Sequence, residues 1–424
     1  MSASTYRGWE TQALTNGLIE VQVLPQIGGR VIQFKLGDTE MLWVNDALAG
    51  KAPPPGGLGP KGAWLNYGGD KLWPAPQDQW HGPPDGVLDG SPHTAVVLPA
   101  AADSAGVELT SEKDPRNGLQ FKRTIRVRPG AAAVAFDSTL TNVGTKTQKW
   151  SIWQVTQLSA VGRKGDGFNK DLRCWTPVNP ASQYPLGFNV QFGAKDNPSF
   201  AVDTKTGLFS ATYKGAVGKA GLDSAAGWVA CVDGETGCVL VERFAHVPGK
   251  EYPDGGSSVE FWMNGAGKIV HEGKTVEFPA DRVATPTYVE SEILSPLAEL
   301  APGQSTSFRL DWFAAKIGGS YPVLACTPVG ITCEALAAKK AGDKVRLTGR
   351  FGVFFAPSPV QVVFLDAAGA ECGKADLKTQ ASPLEPLVLD AETPLPAKAA
   401  TAVLMILDAA GQVRGELARV TIQP

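Results

Sequence analysis

Glu290 and Glu292 sit two apart in "TYVESEILS", so a strand there presents both carboxylates on one face with Tyr288 beside them. Carboxylates so close repel one another unless they share a proton, a cation or the hydroxyls of a ligand. The pairing suits general acid–base work, with a solvated acidic strand face as the alternative. A second concentration of chemistry is "WLNYGGDKLWPAPQDQWHGPPDG", from Trp64 to Gly86. It sets aromatic rings and hydrogen-bonding groups among glycines and prolines, a mixture that suits neither a helix nor a plain strand and reads as a rigid loop.

A sugar ring has apolar C–H faces and a rim of hydroxyls, so its site calls for flat aromatic platforms beside charged and amide side chains. In this stretch Trp73 and Trp80 supply platforms, and Asp70, Lys71, Gln77 and His81 supply polar contacts. Pro74, Pro76, Pro83 and Pro84 would hold the segment in place before a ligand arrives, lowering the ordering cost of binding. The same tryptophans would also serve to seal the end of a β-sandwich. Arg30, after Gly28 and Gly29, offers a fork for a carboxylate or two adjacent hydroxyls, or else pairs with a buried acid. Asp254 in "EYPDGG" either lines the ligand cleft or makes an ordinary turn. His93, His246 and His271 read as surface or satisfied core groups, His271 in a polar turn.

The elements that must position these groups are strands. With 48 Gly and 32 Pro in 424 residues and alternation such as "GLIEVQVLP", turns and strands dominate the pattern. Strand-like segments run over 18–34, 95–109, 119–128 and 133–140, then through "KWSIWQVTQL", a spacing that fits an antiparallel sandwich and not βαβ units. After "LAPGQSTSFRLDWFAAKIGG" aromatics thin out and the turn "LDAAG" occurs twice, each time behind an apolar strand. The expected architecture is mainly β: a large antiparallel β-supersandwich over residues 1–318 and a small Ig-like β-sandwich over 321–424, with "CEALAAKKAGD" as a short helix-like piece.

A net charge of −3 without a basic cluster removes the footprint of a nucleic-acid binder, and no run of 18 apolar residues predicts a membrane span. The start "MSASTYRGWETQ" lacks the basic and apolar regions of a secretory leader. Cys231 and Cys238 bracket "CVDGETGC", and Cys326 and Cys333 bracket "CTPVGITC". A hairpin centred on Gly234 and Glu235 would place Cys231 opposite Cys238 at disulfide reach, and two such bonds are expected. They favour an exported protein, periplasmic or extracellular, whose leader lies outside this chain; free buried thiols in a cytoplasmic protein are the alternative. No CxxC or HxxxH spacing offers a zinc site, so neither metal nor cofactor is expected.

Three blocks in order carry a resemblance. "VLPQIGGRVIQF", "NYGGDKLWPAPQDQWHG" and "YVESEILSPLAELAPGQSTSFRLDWF" together resemble the galactose mutarotase-like superfamily of aldose 1-epimerases and hexose-6-phosphate epimerases, and within it an uncharacterised bacterial family. The resemblance implies a β-supersandwich and places the epimerases' general base, the glutamate of the late strand that takes the anomeric hydroxyl proton, at Glu290. Their histidine acid follows an Asn-x-Gly turn. Here Asn142 and Gly144 are present, but Trp153 and Gln154 occupy the histidine's region, so the acid falls to His81, Lys71 or Tyr67.

The resulting expectation is a protein that takes a sugar or oligosaccharide in a cleft of the large domain. Its chemistry would be aldose 1-epimerase-like, with Glu290 as base, His81 as acid, and Glu292, Trp153 and Gln154 among the contacts. Two alternatives stay open. One is β-elimination on a uronic acid, for which Arg30 or a cation would neutralise the substrate carboxylate. The other is binding without catalysis, with the small domain serving attachment.

Overall fold

The computed structural model describes residues 2–99, 104–163, 167–271 and 273–424. It is 55% strand and 4% helix, which leaves no room for βαβ units, and the strands pair antiparallel. The alternation in "GLIEVQVLP" builds Ile19–Leu24, which pairs with Trp9–Thr15 and Arg30–Leu36 at the start of a twelve-stranded sheet. The turn before Arg30 needs glycine. Gly28 has φ +61°, and a Cβ on it would lie 2.0 Å from the Asp89 carbonyl oxygen.

The same sheet continues through Asp70–Ala75, Gln148–Ser159, Tyr288–Leu294, Val259–Asn264 and Gly218–Leu222. The stretch from Trp64 is therefore not a loop throughout. Gly69, at φ +77°, sits where a Cβ would meet the Val31 carbonyl at 2.3 Å, and this close approach delivers residues 70–75 into the middle of the sheet. The 3₁₀ turn Gln77–Trp80 and the short helix Gly86–Asp89 follow.

A ten-stranded sheet packs against the twelve-stranded one. Phe34 of the first meets Trp312 of the second at 5.4 Å between ring centres, and Trp312 meets Phe136 at 4.7 Å. Alternation along Cys238–Phe244 and Ser305–Lys316 divides their side chains: Leu240 and Ala314 enter this core, while Val239, Val241, Ala315 and Ile317 face the other way. There they pack with Ile331, Cys333 and Phe354 of the C-terminal segment. That segment forms two four-stranded sheets around a core of its own. The helix-like "CEALAAKKAGD" lies within the strand Gly330–Ala341, whose pairing shifts register twice between Thr332 and Ala337. Both "LDAAG" turns close on aspartate, Asp366 accepting from Ala368 N and Asp408 from Ala410 N at 2.9 Å each.

The expected disulfides are not formed. Asp233 faces Cys238 across the hairpin, so four residues make the turn and Cys231 falls opposite Leu240. Cys231 instead bonds Cys174, its direct partner on the neighbouring strand. Cys326 faces Ile331, two positions short of Cys333, and Cys238, Cys326, Cys333 and Cys372 are free thiols. Burial pushes the thiols of Cys326 and Cys333 up to about 12.

Candidate functional site

Period-two alternation sorts the central strands into two faces. Asp70, Gln154, Thr156 and Ser291 point toward the ten-stranded sheet, where Asp70 pairs with Arg123 and Thr156 meets Glu242. Lys71, Trp73, Trp153, Glu290 and Glu292 point the other way. On that outer face the register sets Trp73 beside Trp153, Gln157 beside Glu290, Glu290 beside Trp262, Glu292 beside Glu260 and Trp262 beside Lys219. The result is a ladder of aromatic and charged groups across five strands.

A cavity of about 340 Å³ opens over this ladder. Trp73, Trp80, Trp153 and Trp262 wall it, and Glu290, Glu292 and Lys219 line it. The hairpin Gly267–His271 and Lys274–Phe278 adds Ile269, His271 and Phe278. The tryptophans brace one another: Trp73 lies 5.3 Å from both Trp80 and Trp153, ring centre to ring centre. Trp80 donates to the Pro74 carbonyl at 2.7 Å, while Trp64 and Trp73 donate to the two carboxylate oxygens of Asp89 at 2.8 and 2.9 Å. The buried Trp153 indole N–H has no protein partner.

Glu290 is held by two neighbours. Gln157 Nε2 donates to its Oε1 at 2.8 Å, and Lys71 Nζ stands 3.2 Å from the same oxygen. Lys71 is fully buried, and desolvation pulls its ammonium below the usual lysine range against the opposing pull of Glu290. Two positions along, Lys219 bridges Glu260 at 2.6 Å and Glu292 at 2.9 Å, with Trp153 beneath it at 4.4 Å. Burial works against the Lys219 charge, but the two carboxylates outweigh it and hold the ammonium above its ordinary range. One cation cannot neutralise two buried carboxylates. Burial, reinforced by Glu260 and Glu290, raises Glu292 well above the carboxylate range despite Lys219. Neighbouring carboxyls on one strand thus sit in different surroundings: Glu290 accepts from Gln157 and faces Lys71, whereas Glu292 favours its protonated form.

Of the residues singled out from the sequence, Trp73, Gln77, Trp80, Trp153, Glu290 and Glu292 line this cavity, with Lys71 immediately behind Glu290. Asp254 lines two adjoining cavities. The others lie elsewhere. Arg30 is fully buried, donating to the carbonyls of Ile27, Gly68 and Asp89 and facing the Asp89 carboxylate at 3.3 Å, so its fork is spent on holding turns together. Tyr67 packs against Trp9 and under Arg30 in a separate apolar cluster. Asp70 and Gln154 are inter-sheet groups, bonded to each other at 2.9 Å. His81 is exposed at the end of the 3₁₀ turn with φ +54°, and it does not line the cavity.

Lys219, Glu260 and Phe192 were not expected at the site, and His271 was assigned to a polar turn. Glu260 and Trp262 repeat in "VEFWMN" the alternation of Tyr288, Glu290 and Glu292, a signal that was present in the sequence. Lys219 lies among small residues in "GKAGL", where nothing local marks it. Among the described residues no group of three or more His, Cys, Asp or Glu side chains is disposed to hold a metal ion, and no helix is long and apolar enough to cross a membrane.

Residues 10–315, well over half of the chain, match the family described as "Domain of unknown function (DUF4380)". The chain belongs to this family. Solved structures similar to this DUF4380 chain include a galactose mutarotase-like protein from Clostridium acetobutylicum, at 11% identity over 74% of this chain and 98% of that one, with a TM-score of 0.46. A galactose mutarotase related enzyme from Lactobacillus acidophilus is similar at 11% identity over 71% and 96%, TM-score 0.41. A TPR-domain containing protein from Parabacteroides distasonis is similar at 14% identity over 74% of this chain, TM-score 0.48, and this chain spans about half (48%) of its length. At these identities nothing about substrate or chemistry passes from them to this chain.

Proposed function

We propose that the protein is carbohydrate-active and receives a saccharide in the aromatic-walled cavity, with aldose 1-epimerase-like chemistry in which Glu290 is the general base and Glu292 the general acid. The observation that carries this reading is the pair of carboxyls on one strand, both lining the aromatic cavity, with Lys71 and Gln157 on Glu290 and Glu292 crowded beside the Glu260–Lys219 pair, where burial favours its protonated form. Glu290 takes the anomeric hydroxyl proton, Glu292 delivers one to the ring oxygen, and the opened chain recloses as the other anomer. The acid expected at His81 moves to Glu292, because His81 stands outside the cavity. Trp262, half-buried at the cavity wall, offers aromatic surface to apolar C–H faces, backed by the buried Trp73, Trp80 and Trp153.

Binding without turnover is the second reading, favoured by the lysine partner that each of the two glutamates already has. β-Elimination loses support, since Arg30 is committed to Asp89 and backbone carbonyls away from the cavity. Anomer-exchange NMR on the ligands found by a saccharide screen separates the readings. Accelerated exchange supports the epimerase; binding with exchange at the uncatalysed rate leaves the binding protein; failure of every saccharide to bind overturns both.

A further inference from the structure

The cavity over Glu290 is the first of three that share walls. Gln77, Phe192, Lys219 and His271 line it and also line a second cavity of about 450 Å³. Asp78 and Asp254 belong to that second cavity and to a third of about 660 Å³. The shared residues set the three cavities side by side in series, together larger than a single sugar ring requires of a small-molecule pocket.

The far stations of the series have the composition of the first. In the third cavity His246 and Tyr252 stack with planes 6° apart and ring centres at 5.2 Å, an aromatic plate beside the amides of Asn179 and Gln183. At the junction of the second and third cavities, Asp254 holds φ +52° and ψ +45°, a left-handed turn conformation in which Asp is among the commoner non-glycine residues. Its Oδ2 is buried without a hydrogen-bond partner in the protein. Burial, then the nearby Glu260 carboxylate, raises its pKa to about 7. An acceptor left unpaired at a turn where two cavities meet fits a ligand hydroxyl or amine that donates to it.

The charge of the series narrows the ligand further. Lys219, the cation shared by the first two cavities, is already taken by Glu260 and Glu292. Asp78, Asp223 and Asp254 line the stations beyond it, where Lys149 pairs with Glu251 and Lys250 is left as a single cation against three aspartates. A uronate would meet more carboxylates than free cations along this path.

Resting on the saccharide reading given above, we infer that the natural ligand is an oligosaccharide of neutral or amino-bearing units, running from the Glu290 cavity past Asp254 to the His246–Tyr252 plate.

The test is an array of neutral, amino-bearing and uronic saccharides of one to six units, followed by calorimetry with the one-, two- and three-unit members of the best series. Affinity is expected to rise at least tenfold from one unit to three. Asp254→Asn and Gln183→Ala are expected to narrow that gap, and Gln183 is exposed, so its replacement leaves folding intact. Affinity that does not rise with length overturns the inference while leaving a saccharide at Glu290. Tightest binding to a uronic series overturns it through the charge argument. A wholly silent array overturns it together with the saccharide reading.

Discussion

Lys71 and Glu290 meet at 3.2 Å across 219 residues of sequence, both sheltered from solvent. Removing one partner of a buried ion pair leaves the other uncompensated, at a cost of about 3–5 kcal/mol. Glu290→Gln is therefore expected to lower the thermal midpoint as well as to reduce turnover by about 10² or more. Adding Lys71→Met should recover most of the stability and none of the turnover. Unfolding scans and anomer-exchange NMR on the single and double variants check this; turnover restored along with stability would remove Glu290 from the chemistry.

The cysteines give a second prediction and show what the sequence does and does not disclose. Thiol counting in denaturant without reductant should find four free groups, since only Cys174 and Cys231 are bonded. Six free groups would refute that bond, and two would mean that a second disulfide forms beside it or in its place. The hairpin in "CVDGETGC" is readable from its turn residues, but the turn length is not, and lengthening the turn from two residues to four moves Cys231 from Cys238 to Leu240. Cys174 lies 57 residues away on an adjacent strand, a pairing no local pattern announces.

The same divide runs through the site. Glu290 and Glu292 declared a shared face by their spacing, and the strand keeps it. In "GGDKLW" the alternation equally required Asp70 and Lys71 to part, yet as a loop both were assigned to the ligand; in the sheet Asp70 turns inward to Arg123 and Lys71 outward to Glu290. Gln154 is separated from Trp153 by the same rule. Arg30 was open between ligand and buried acid, and only the fold, by bringing Asp89 beneath the Gly28 turn, decides it.

Glu242 lies between the sheets without a cation. It accepts from Ser291 and from Trp312 Nε1 at 3.2 Å and stands 2.7 Å from Thr156 Oγ1, which is itself 3.0 Å from Asp70. One hydroxyl proton cannot serve both acids, so a protonated Glu242 completes the chain. Burial raises its pKa to about 7 against the pull of those hydrogen bonds. Between its unfolded value near 4.5 and about 7, the unfolded state ionises while the native state keeps its proton, so stability falls as pH rises through that window. Glu242→Gln removes this loss. The variant should gain about 3 kcal/mol on wild type between pH 4 and pH 8 in denaturant titrations; parallel pH profiles would contradict the assignment.

Trp80 and Trp262 both touch the cavity but differ in what else they do. Trp80 is 2% exposed and wedged against Trp73 and Trp153, so Trp80→Ala should cost about 3–5 kcal/mol of stability before any ligand is added. Trp262 is half-buried, with Phe192 and Phe278 at its edges. Trp262→Ala should weaken saccharide binding about tenfold with a smaller change in melting temperature. Paired melting and calorimetry on the two variants check the contrast, and equal melting temperatures would contradict it.

The cleanest probe of the chemistry is Glu292→Gln. Glu290→Gln takes a charge away from Lys71, so its effects on folding and on turnover arrive together. Glu292 is different, because Lys219 remains paired with Glu260 at 2.6 Å after Glu292 is made neutral. Burial and the two flanking carboxyls already favour its protonated form, so glutamine reproduces both the charge and the shape of the native side chain. Folding should survive, and should improve on wild type progressively as pH rises above the unfolded value near 4.5, where the unfolded Glu292 ionises while the native one keeps its proton. A glutamine cannot hand a proton to the ring oxygen, so kcat should fall by about 10²–10⁴ while KM stays within a few-fold, the mark of an interaction made in the transition state. The alkaline limb of the wild-type pH–rate profile should vanish from whatever activity remains. Anomer-exchange rates from pH 5 to 9 on wild type and variant measure all of this, and an undiminished rate in a well-folded Glu292→Gln protein would move the acid to His271, which lines the same cavity from the hairpin.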